Sequence, residues 1–291
     1  MTNRVRLLPL VAALCALPAG AAEAGARRTD APAGPTDPGK PDLAVIAAPP
    51  ARVLRELATD RPDVTESPYT VDAGHLQLEM DFANYATDRQ DGVRTREWGV
   101  APVNLRVGLT GDFELGVFVE PYQRQTEQPD GAVRTARAGP GDVTLRAKVN
   151  FQGNDGGAAA YGLIVDCKLP TAVRGLGNGK FEAAVILPVN FELARGWELG
   201  AMTRLAAAYG DSGRYRAVWD NTVSLGHDLT ADTGGYLELT SSTGDGPHVA
   251  TVDLGVTWKL DANTQLDAGM NLGVSRRAPD VQFFSGFTRR F

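Results

Sequence analysis

The stretch Asp280-Val281-Gln282-Phe283-Phe284-Ser285-Gly286-Phe287-Thr288-Arg289-Arg290-Phe291 alternates apolar and polar side chains and ends on an aromatic residue. A two-residue period is the one that a pleated strand imposes on its side chains. The two faces comprise Val281, Phe283, Ser285 and Phe287 on one side and Gln282, Gly286, Thr288 and Arg290 on the other. The pattern predicts a strand that turns its first face to lipid and its second face to an interior.

Phe287 and Phe291 give this strand an aromatic ending that resembles the recognition signal of the outer-membrane barrel assembly machinery. We therefore expect two kinds of partner, namely that machinery and the lipids of the outer membrane. Such a strand also needs neighbours, because an open sheet edge in hydrocarbon leaves backbone groups unpaired.

The N-terminus predicts export. Arg4 and Arg6 form a basic region, and Leu7 to Leu17 form an apolar run that is too short to span a bilayer. Small residues follow at Ala19-Gly20-Ala21, so residues 1–21 are interpreted as a signal peptide. Residues 22–58 are rich in Pro, Gly, Ala and Asp, which predicts a flexible periplasmic leader.

Charge and cysteine content narrow the classes of function. The chain has 29 basic and 35 acidic residues, and removal of Arg4 and Arg6 leaves 27 against 35, a formal charge of −8. Nucleic acid is therefore not an expected partner. Without the signal peptide Cys167 has no second cysteine to bond with, so the fold must be stable without an intramolecular disulfide.

Alternating segments continue through residues 73–291, and Asp142 to Phe151 is the clearest, with Val, Leu, Ala, Val and Phe at every second position. An even number of strands is typical of bacterial single-chain barrels, so we predict an all-β fold, a closed antiparallel transmembrane β-barrel of about twelve strands. Soluble sandwiches, lipocalin-like barrels and jelly rolls are the alternatives for any one segment. The predicted strands are Leu76–Ala83, Glu97–Leu109 with a bulge, Phe113–Tyr122, Asp142–Phe151, Tyr161–Leu169, Phe181–Glu192, Trp197–Tyr209, Tyr215–Leu225, Tyr236–Thr243, Thr251–Lys259, Gln265–Val274 and Val281–Arg290.

The connections predict the orientation. Ala86 to Arg96, Arg124 to Pro140 and Pro170 to Lys180 are longer than the intervening turns, although the difference fades in the second half. Periplasmic turns of such barrels are short and extracellular loops are long. Both termini are therefore expected in the periplasm.

Charged side chains of both signs fall on the inward face of the predicted strands. Most are expected to form structural ion pairs, and some are candidates for setting selectivity. The lumen candidates are Glu79, Asp81, Arg106, Glu114, Glu120, Arg146, Lys148, Asp166, Lys168 and Arg204.

The most distinctive motif precedes the first strand and runs from Thr59 to Val71 as TDRPDVTESPYTV. It resembles the opening of a family of outer-membrane transporters associated with the meta-cleavage pathway of phenol degradation. The resemblance extends to Gly74–Glu79, Gly141–Lys148, Lys168–Thr171, Gln265–Gly269 and Pro279–Phe291. It implies a barrel that transports small molecules, of a hydrophobic or aromatic kind.

Residues 59–72 are too polar for lipid, and Pro62 and Pro68 prevent a regular helix or a central strand. One hypothesis places them at the periplasmic mouth as a constriction, with Arg61 pairing Glu79 or Glu114. The equal alternative is a rigid lead-in to the first strand. The motif residues are Asp60, Arg61, Asp63, Glu66 and Tyr69.

The sequence thus predicts a passive outer-membrane channel for an unidentified small molecule, with no cofactor or metal. A structural or adhesive barrel with an occluded lumen is the alternative. An outer-membrane hydrolase is less favoured, because the pattern places no Ser/His pair together. Ser241, Ser242 and His248 form the one local cluster of suitable residues, and no Cys/His spacing suits a metal.

Overall fold

A computed structural model describes residues 54–210, 212–244 and 246–291. The predicted signal peptide and residues 22–53 of the predicted leader lie outside them. No helix in the described residues is long and apolar enough to cross a membrane. The strands are β1 (Leu76–Gln90), β2 (Val93–Val100), β3 (Val103–Gly108), β4 (Phe113–Val119), β5 (Tyr122–Pro129), β6 (Thr135–Gly139), β7 (Val143–Gln152), β8 (Ala159–Leu169), β9 (Glu182–Glu192), β10 (Trp197–Tyr209), β11 (Tyr215–Asp228), β12 (Thr233–Thr243), β13 (Val249–Asp261), β14 (Thr264–Gly273) and β15 (Val281–Arg290).

These strands form one antiparallel sheet that closes on itself between β15 and β1. Both β2 and β3 pair with β1, at different heights, so together they make one barrel strand. In the same way β5 continues β4, and β6 continues the line of β7. With these three pairs counted once each, the barrel has twelve strands, which confirms the predicted fold class.

The three divided barrel strands break at one level, and each break contains a proline. The breaks lie at Ala101-Pro102, Glu120-Pro121 and Pro140-Gly141-Asp142. Proline has no N–H for the sheet, and Ala101 adopts a positive φ of 55°, so the regular strand is interrupted there. The bulge predicted between Glu97 and Leu109 is instead a break in the strand. Val100 pairs with Ala83 and Val103 with Met80, so no residue is inserted, but the exposed side chains change from Trp98 and Val100 to Leu105 across the break.

Two of the predicted loops contain strands instead. Ala86 to Arg96 is mostly hairpin, because β1 and β2 run up to the turn at Asp91-Gly92. Both turn residues have positive φ, 50° and 79°, as an Asp-Gly hairpin turn requires. Arg124 to Pro140 likewise forms β5 and β6. Apolar and polar residues no longer alternate in these two stretches. Because the predicted strand ends depend on that alternation alone, the strands are predicted too short.

The packing of the barrel is inverted relative to a soluble protein. Buried polar and charged residues outnumber buried apolar ones, and Arg106, Lys148, Glu114 and Glu238 are completely buried. Large apolar side chains cover the outside instead. Examples that are about half exposed are Phe82, Leu145, Leu187, Leu205, Trp219, Leu237 and Val256. This apolar exterior is what a bilayer requires of a barrel wall.

The interior is not polar throughout. Ile164, Ile186 and Met202 on β8, β9 and β10 point inward and form a buried apolar cluster. This apolar patch differs from the polar inward faces that the alternation predicts, because inward positions on these strands alternate with equally apolar outward ones.

Both ends of the described chain meet at the same end of the barrel, which we call the terminal end; the other is the far end. Leu76 and Phe291 exchange two backbone hydrogen bonds there, of 3.3 and 2.7 Å. Phe287 lies outside and stacks on Phe82 with 5.5 Å between ring centroids, while Phe291 is 62% exposed. Their recognition by the assembly machinery stays a prediction.

Candidate functional site

Residues 54–72, which we call the inner segment, enter the lumen from the terminal end and contain neither helix nor regular strand. The two ends of the segment are held together by Asp72. Arg55 Nε lies 3.0 Å from Asp72 Oδ1, and Arg290 Nη1 lies 3.1 Å from Asp72 Oδ2. The segment therefore forms a loop that starts and finishes at the terminal end, and residues 54–58 of the predicted leader belong to it.

One wall of the lumen supplies cations to this loop. Lys148 Nζ on β7 donates to Asp60 Oδ1 at 2.5 Å, and Arg106 Nη1 on β3 lies 3.4 Å from Asp60 Oδ2. Arg106 also holds the wall carboxylates Glu79 at 2.6 Å and Glu114 at 2.9 Å. Burial alone would raise the pKa of Asp60, but Arg106, Lys148 and Arg146 outweigh it and lower that pKa to about 2.

Arg146 extends this cationic wall towards the far end. Its guanidinium forms two hydrogen bonds of 2.6 Å to the Glu66 carboxylate and two of 2.8 and 2.9 Å to Asp166. The planar guanidinium suits such bidentate pairing. A lumen candidate thus binds both a motif residue and a wall residue.

The opposite wall supplies anions. Arg61 Nη2 lies 2.6 Å from Asp267 Oδ1 on β14, and Arg61 Nη1 pairs with Asp81 on β1. The predicted pairing of Arg61 with Glu79 or Glu114 is wrong, because Arg106 already occupies both carboxylates. Gly286 makes room for this contact, since a Cβ there would lie 2.5 Å from Arg61 Nη2.

Glu238 on β12 completes the anionic wall and binds the loop backbone. Its carboxylate accepts hydrogen bonds from the N–H groups of Val64 at 2.8 Å and Thr65 at 2.7 Å. The Thr65 hydroxyl lies 2.6 Å from Thr222 Oγ1. Asp63 lies beside Glu238, and burial together with the charge of Glu238 raises the pKa of Asp63 to about 8.

The returning part of the loop binds both wall and backbone. The Tyr69 hydroxyl accepts a hydrogen bond from Asn190 Nδ2 at 3.0 Å, and its carbonyl accepts one from Arg106 Nη2 at 3.0 Å. Val71 N–H donates to Glu114 Oε2 at 2.7 Å. Near the tip, Glu66 N–H contacts Met202 Sδ at 3.4 Å, so the loop also covers the apolar cluster.

The motif makes its contacts deeper in the barrel than the predicted periplasmic mouth. Asp81 lies well inside β1, which starts at Leu76, and Glu238 lies well inside β12, which starts at Thr233. The inner segment therefore occupies the lumen from the terminal end towards its middle.

No ion pair or hydrogen bond within the described residues joins the remaining lumen candidates to the inner segment. Lys168 pairs with Asp142 at 2.9 Å and Glu182 at 3.2 Å, and Arg204 pairs with Asp220 at 2.5 Å. Glu120 makes no ion pair with any of the described residues. These three candidates thus belong to the wall.

A cavity of about 410 Å³ lies against the inner segment. Asp60, Arg61, Asp63 and Glu66 of the segment line one side, and the first barrel strands line the other. The wall residues are Glu79, Asp81, Asn84, Pro102, Asn104, Phe118, Glu120, Thr144, Arg146 and Asp166. The lumen therefore contains space for a small molecule next to the motif.

The cluster around Ser241 differs from its prediction, because the structure does place a Ser/His pair together. Ser241 Oγ lies 3.0 Å from His248 Nε2, and the register puts Ser241 on the outward face with Leu237 and Leu239. Ser242 lies on the inward side of β12. Elsewhere, the described residues contain no group of His, Cys, Asp and Glu that could hold a metal ion.

Comparison with known proteins agrees with this architecture. The family described as "Putative MetA-pathway of phenol degradation" matches residues 59–291, which confirms the resemblance seen in the sequence. An outer-membrane channel from Pseudomonas putida F1 has the same fold, with 14% identity, a TM-score of 0.61 and coverage of 80% of this chain and 100% of that chain. The NanC porin aligns with 6% identity and a TM-score of 0.48 over 74% of this chain and 98% of its own. No curated protein matches the chain.

Proposed function

We propose that this chain, which belongs to that family, is a passive outer-membrane channel for small molecules. The observation that carries the proposal is a closed twelve-strand barrel whose lumen holds a cavity of about 410 Å³ next to the inner segment. A closed barrel with an apolar exterior satisfies its backbone in lipid and leaves only the lumen as a polar route. By family resemblance the cargo is a hydrophobic or aromatic compound.

The inner segment is the constriction of this channel. Its side chains bind opposite walls, with Lys148 on one side and Asp267 on the other, so the segment crosses the lumen between them. A lead-in that only capped β1 would have no need of contacts to β7, β12 and β14. The contacts therefore favour the constriction over the rigid lead-in.

The channel works without an enzymatic step. Ser241 and His248 face outward at the far end, away from the lumen, and the described residues show no carboxylate hydrogen-bonded to His248. A hydrolytic triad needs a third group that orients the histidine. The pair is consistent with an ordinary cross-strand hydrogen bond.

The competing function is a structural barrel with a closed lumen, and the complete burial of Arg106 and Lys148 favours it. Planar lipid bilayer recordings of the purified full chain distinguish the two. We expect discrete conductance steps smaller than those of an open porin, because the constriction narrows the path. Absence of conductance from protein that is folded, as shown by a heat-dependent shift on a gel, would support the closed barrel instead.

A further inference from the structure

The cavity beside the inner segment carries an excess of negative charge. Seven carboxyl groups line it, and the only cationic groups among its lining residues are the guanidinium groups of Arg61 and Arg146. Five negative charges are in excess when all seven are ionised, and four while Asp63 keeps its proton. Arg106 and Lys148 lie just behind the lining, but Glu114 and Asp267 lie there too and offset them. The excess therefore persists when the surrounding shell is included.

Both cationic groups of the lining are already bound. Arg146 is shared by Glu66 and Asp166, and Arg61 is shared by two further carboxylates. An anionic ligand would have to displace one of these buried pairs. Removing one partner of a buried ion pair is strongly unfavourable, so the cavity repels anions.

A second, independent observation points to a missing donor. Asn104 is 9% exposed, lines the cavity, and its Oδ1 accepts no hydrogen bond from the described residues. A buried acceptor without a partner is unfavourable, and an N–H donor from a ligand would satisfy it. Glu120, which lacks an ion pair within the described chain, lines the same cavity.

The cavity also has an apolar side. Pro102 and Phe118 contribute to its wall, and the Phe118 side chain is 36% exposed. An exposed aromatic ring attracts a cation and also packs against an apolar body. The volume of about 410 Å³ lies within the range of small-molecule pockets, about 300–1,000 Å³, and far exceeds the space of a single ion.

We propose that this cavity is a binding site for a small organic cation, an ammonium or amidinium group attached to an apolar or aromatic body. The cationic group lies between Glu120 and Asn104 Oδ1 and donates hydrogen bonds to both. The apolar body packs on Phe118 and Pro102. The site rests on the proposed function in that it names the class of cargo, but binding at the cavity does not depend on conduction.

Three probes of one shape and different charge test this assignment: phenethylammonium, 2-phenylethanol and phenylacetate. Isothermal titration calorimetry on the full chain in detergent micelles at pH 7 should show phenethylammonium binding at one site, at least about tenfold more tightly than phenylacetate. The alcohol should bind with intermediate or undetectable affinity. Equal affinity for the three probes, or tighter binding of phenylacetate, would overturn the proposal.

Two variants locate the site. Glu120→Gln and Asn104→Leu should each weaken phenethylammonium binding by about fivefold, because each removes one acceptor. Asp232→Asn, an equal loss of charge at an exposed turn, should leave binding unchanged. If Glu120→Gln and Asp232→Asn behave alike, the cation binds elsewhere and the assignment fails. If the chain binds phenethylammonium but conducts no current, only the proposed channel function is contradicted. If the chain conducts current but does not bind phenethylammonium, only the cation site is contradicted.

Discussion

The two walls of the lumen differ in sign. The wall formed by β3 and β7 presents Arg106, Arg146 and Lys148, whereas the wall formed by β1, β12 and β14 presents Asp81, Glu238 and Asp267. The inner segment is complementary in charge to both walls. It turns Asp60 and Glu66 to the cationic wall and Arg61 and two backbone N–H groups to the anionic wall.

This difference explains how neighbouring residues of opposite charge can both be satisfied. The segment is not helical, and the side chains of Asp60 and Arg61, although neighbours in sequence, reach opposite walls. A helix would separate the two side chains by only about 100° around its axis, which is too little to reach opposite walls. The prolines at positions 62 and 68 hold the segment out of a helix, and charge then fixes its orientation between the walls.

Breaking the cationic wall should have the largest effect. Arg106→Met leaves Glu79, Glu114 and Asp60 without their shared cation in a fully buried place. The expected loss is about 3–5 kcal/mol of unfolding free energy, which urea titration in detergent micelles would measure. Arg94→Met, at an exposed position of β2, is the control with little expected change. Equal losses in both variants would show that the buried cluster is not what stabilises the barrel.

The contact of the segment with the wall can be measured as a coupling. A double-mutant cycle of Glu66→Gln and Arg146→Met should give an interaction of about 1–3 kcal/mol, because the pair is bidentate and mostly buried. The same cycle on Arg89→Met and Asp130→Asn, whose side chains are 53% and 63% exposed, should give less than about 1 kcal/mol. A coupling at the exposed pair as large as that at Glu66 and Arg146 would remove the distinction between lumen and surface.

The anionic wall makes the docked segment sensitive to pH. Asp63 faces Glu238 on β12, Ser224 on β11 and Glu198 on β10, and its pKa rises from 3.8 to about 8. Between those values the docked segment keeps a proton that a released segment would lose. Each unit of rising pH should therefore weaken docking by up to about 1.4 kcal/mol.

The pKa of Glu66 is also raised, so Glu66 adds to the same pH dependence of docking. The pKa of Asp60 is lowered, so Asp60 affects docking only at acidic pH. We expect channel opening to become more frequent between pH 6 and pH 8 in bilayer recordings. Asp63→Asn should reduce that dependence, since the amide does not titrate. An identical pH profile in the variant would exclude Asp63 as the group responsible.

Much of the barrel follows from the sequence. Outward residues such as Leu145, Leu187 and Val256 repeat with a period of two, and that period alone yields twelve barrel strands and the inward set of charges. The Asp91-Gly92 turn was also readable, because this pair is a strong hairpin signal. It was missed because the flanking residues are polar on both faces.

The pairing inside the lumen could not be read in the same way. The alternation shows that Glu79, Asp81, Glu114 and Asp267 all face inward, but which of them meets Arg61 depends on the stagger of the closed sheet. Stagger is a property of the whole ring. The sequence of the motif therefore gives no sign that Arg106 already binds two of these four carboxylates, Glu79 and Glu114.

The most direct test of the central claim is the single-channel conductance of a variant that lacks residues 59–69. The account predicts a several-fold larger conductance than that of the full chain, because the loop that crosses the lumen is gone. Arg61→Gln serves as a milder companion that keeps the chain length, with a smaller increase expected. Both proteins must first show the heat-dependent gel shift of a folded barrel. An unchanged conductance in a folded deletion variant would contradict the account, since the inner segment would then not restrict the path.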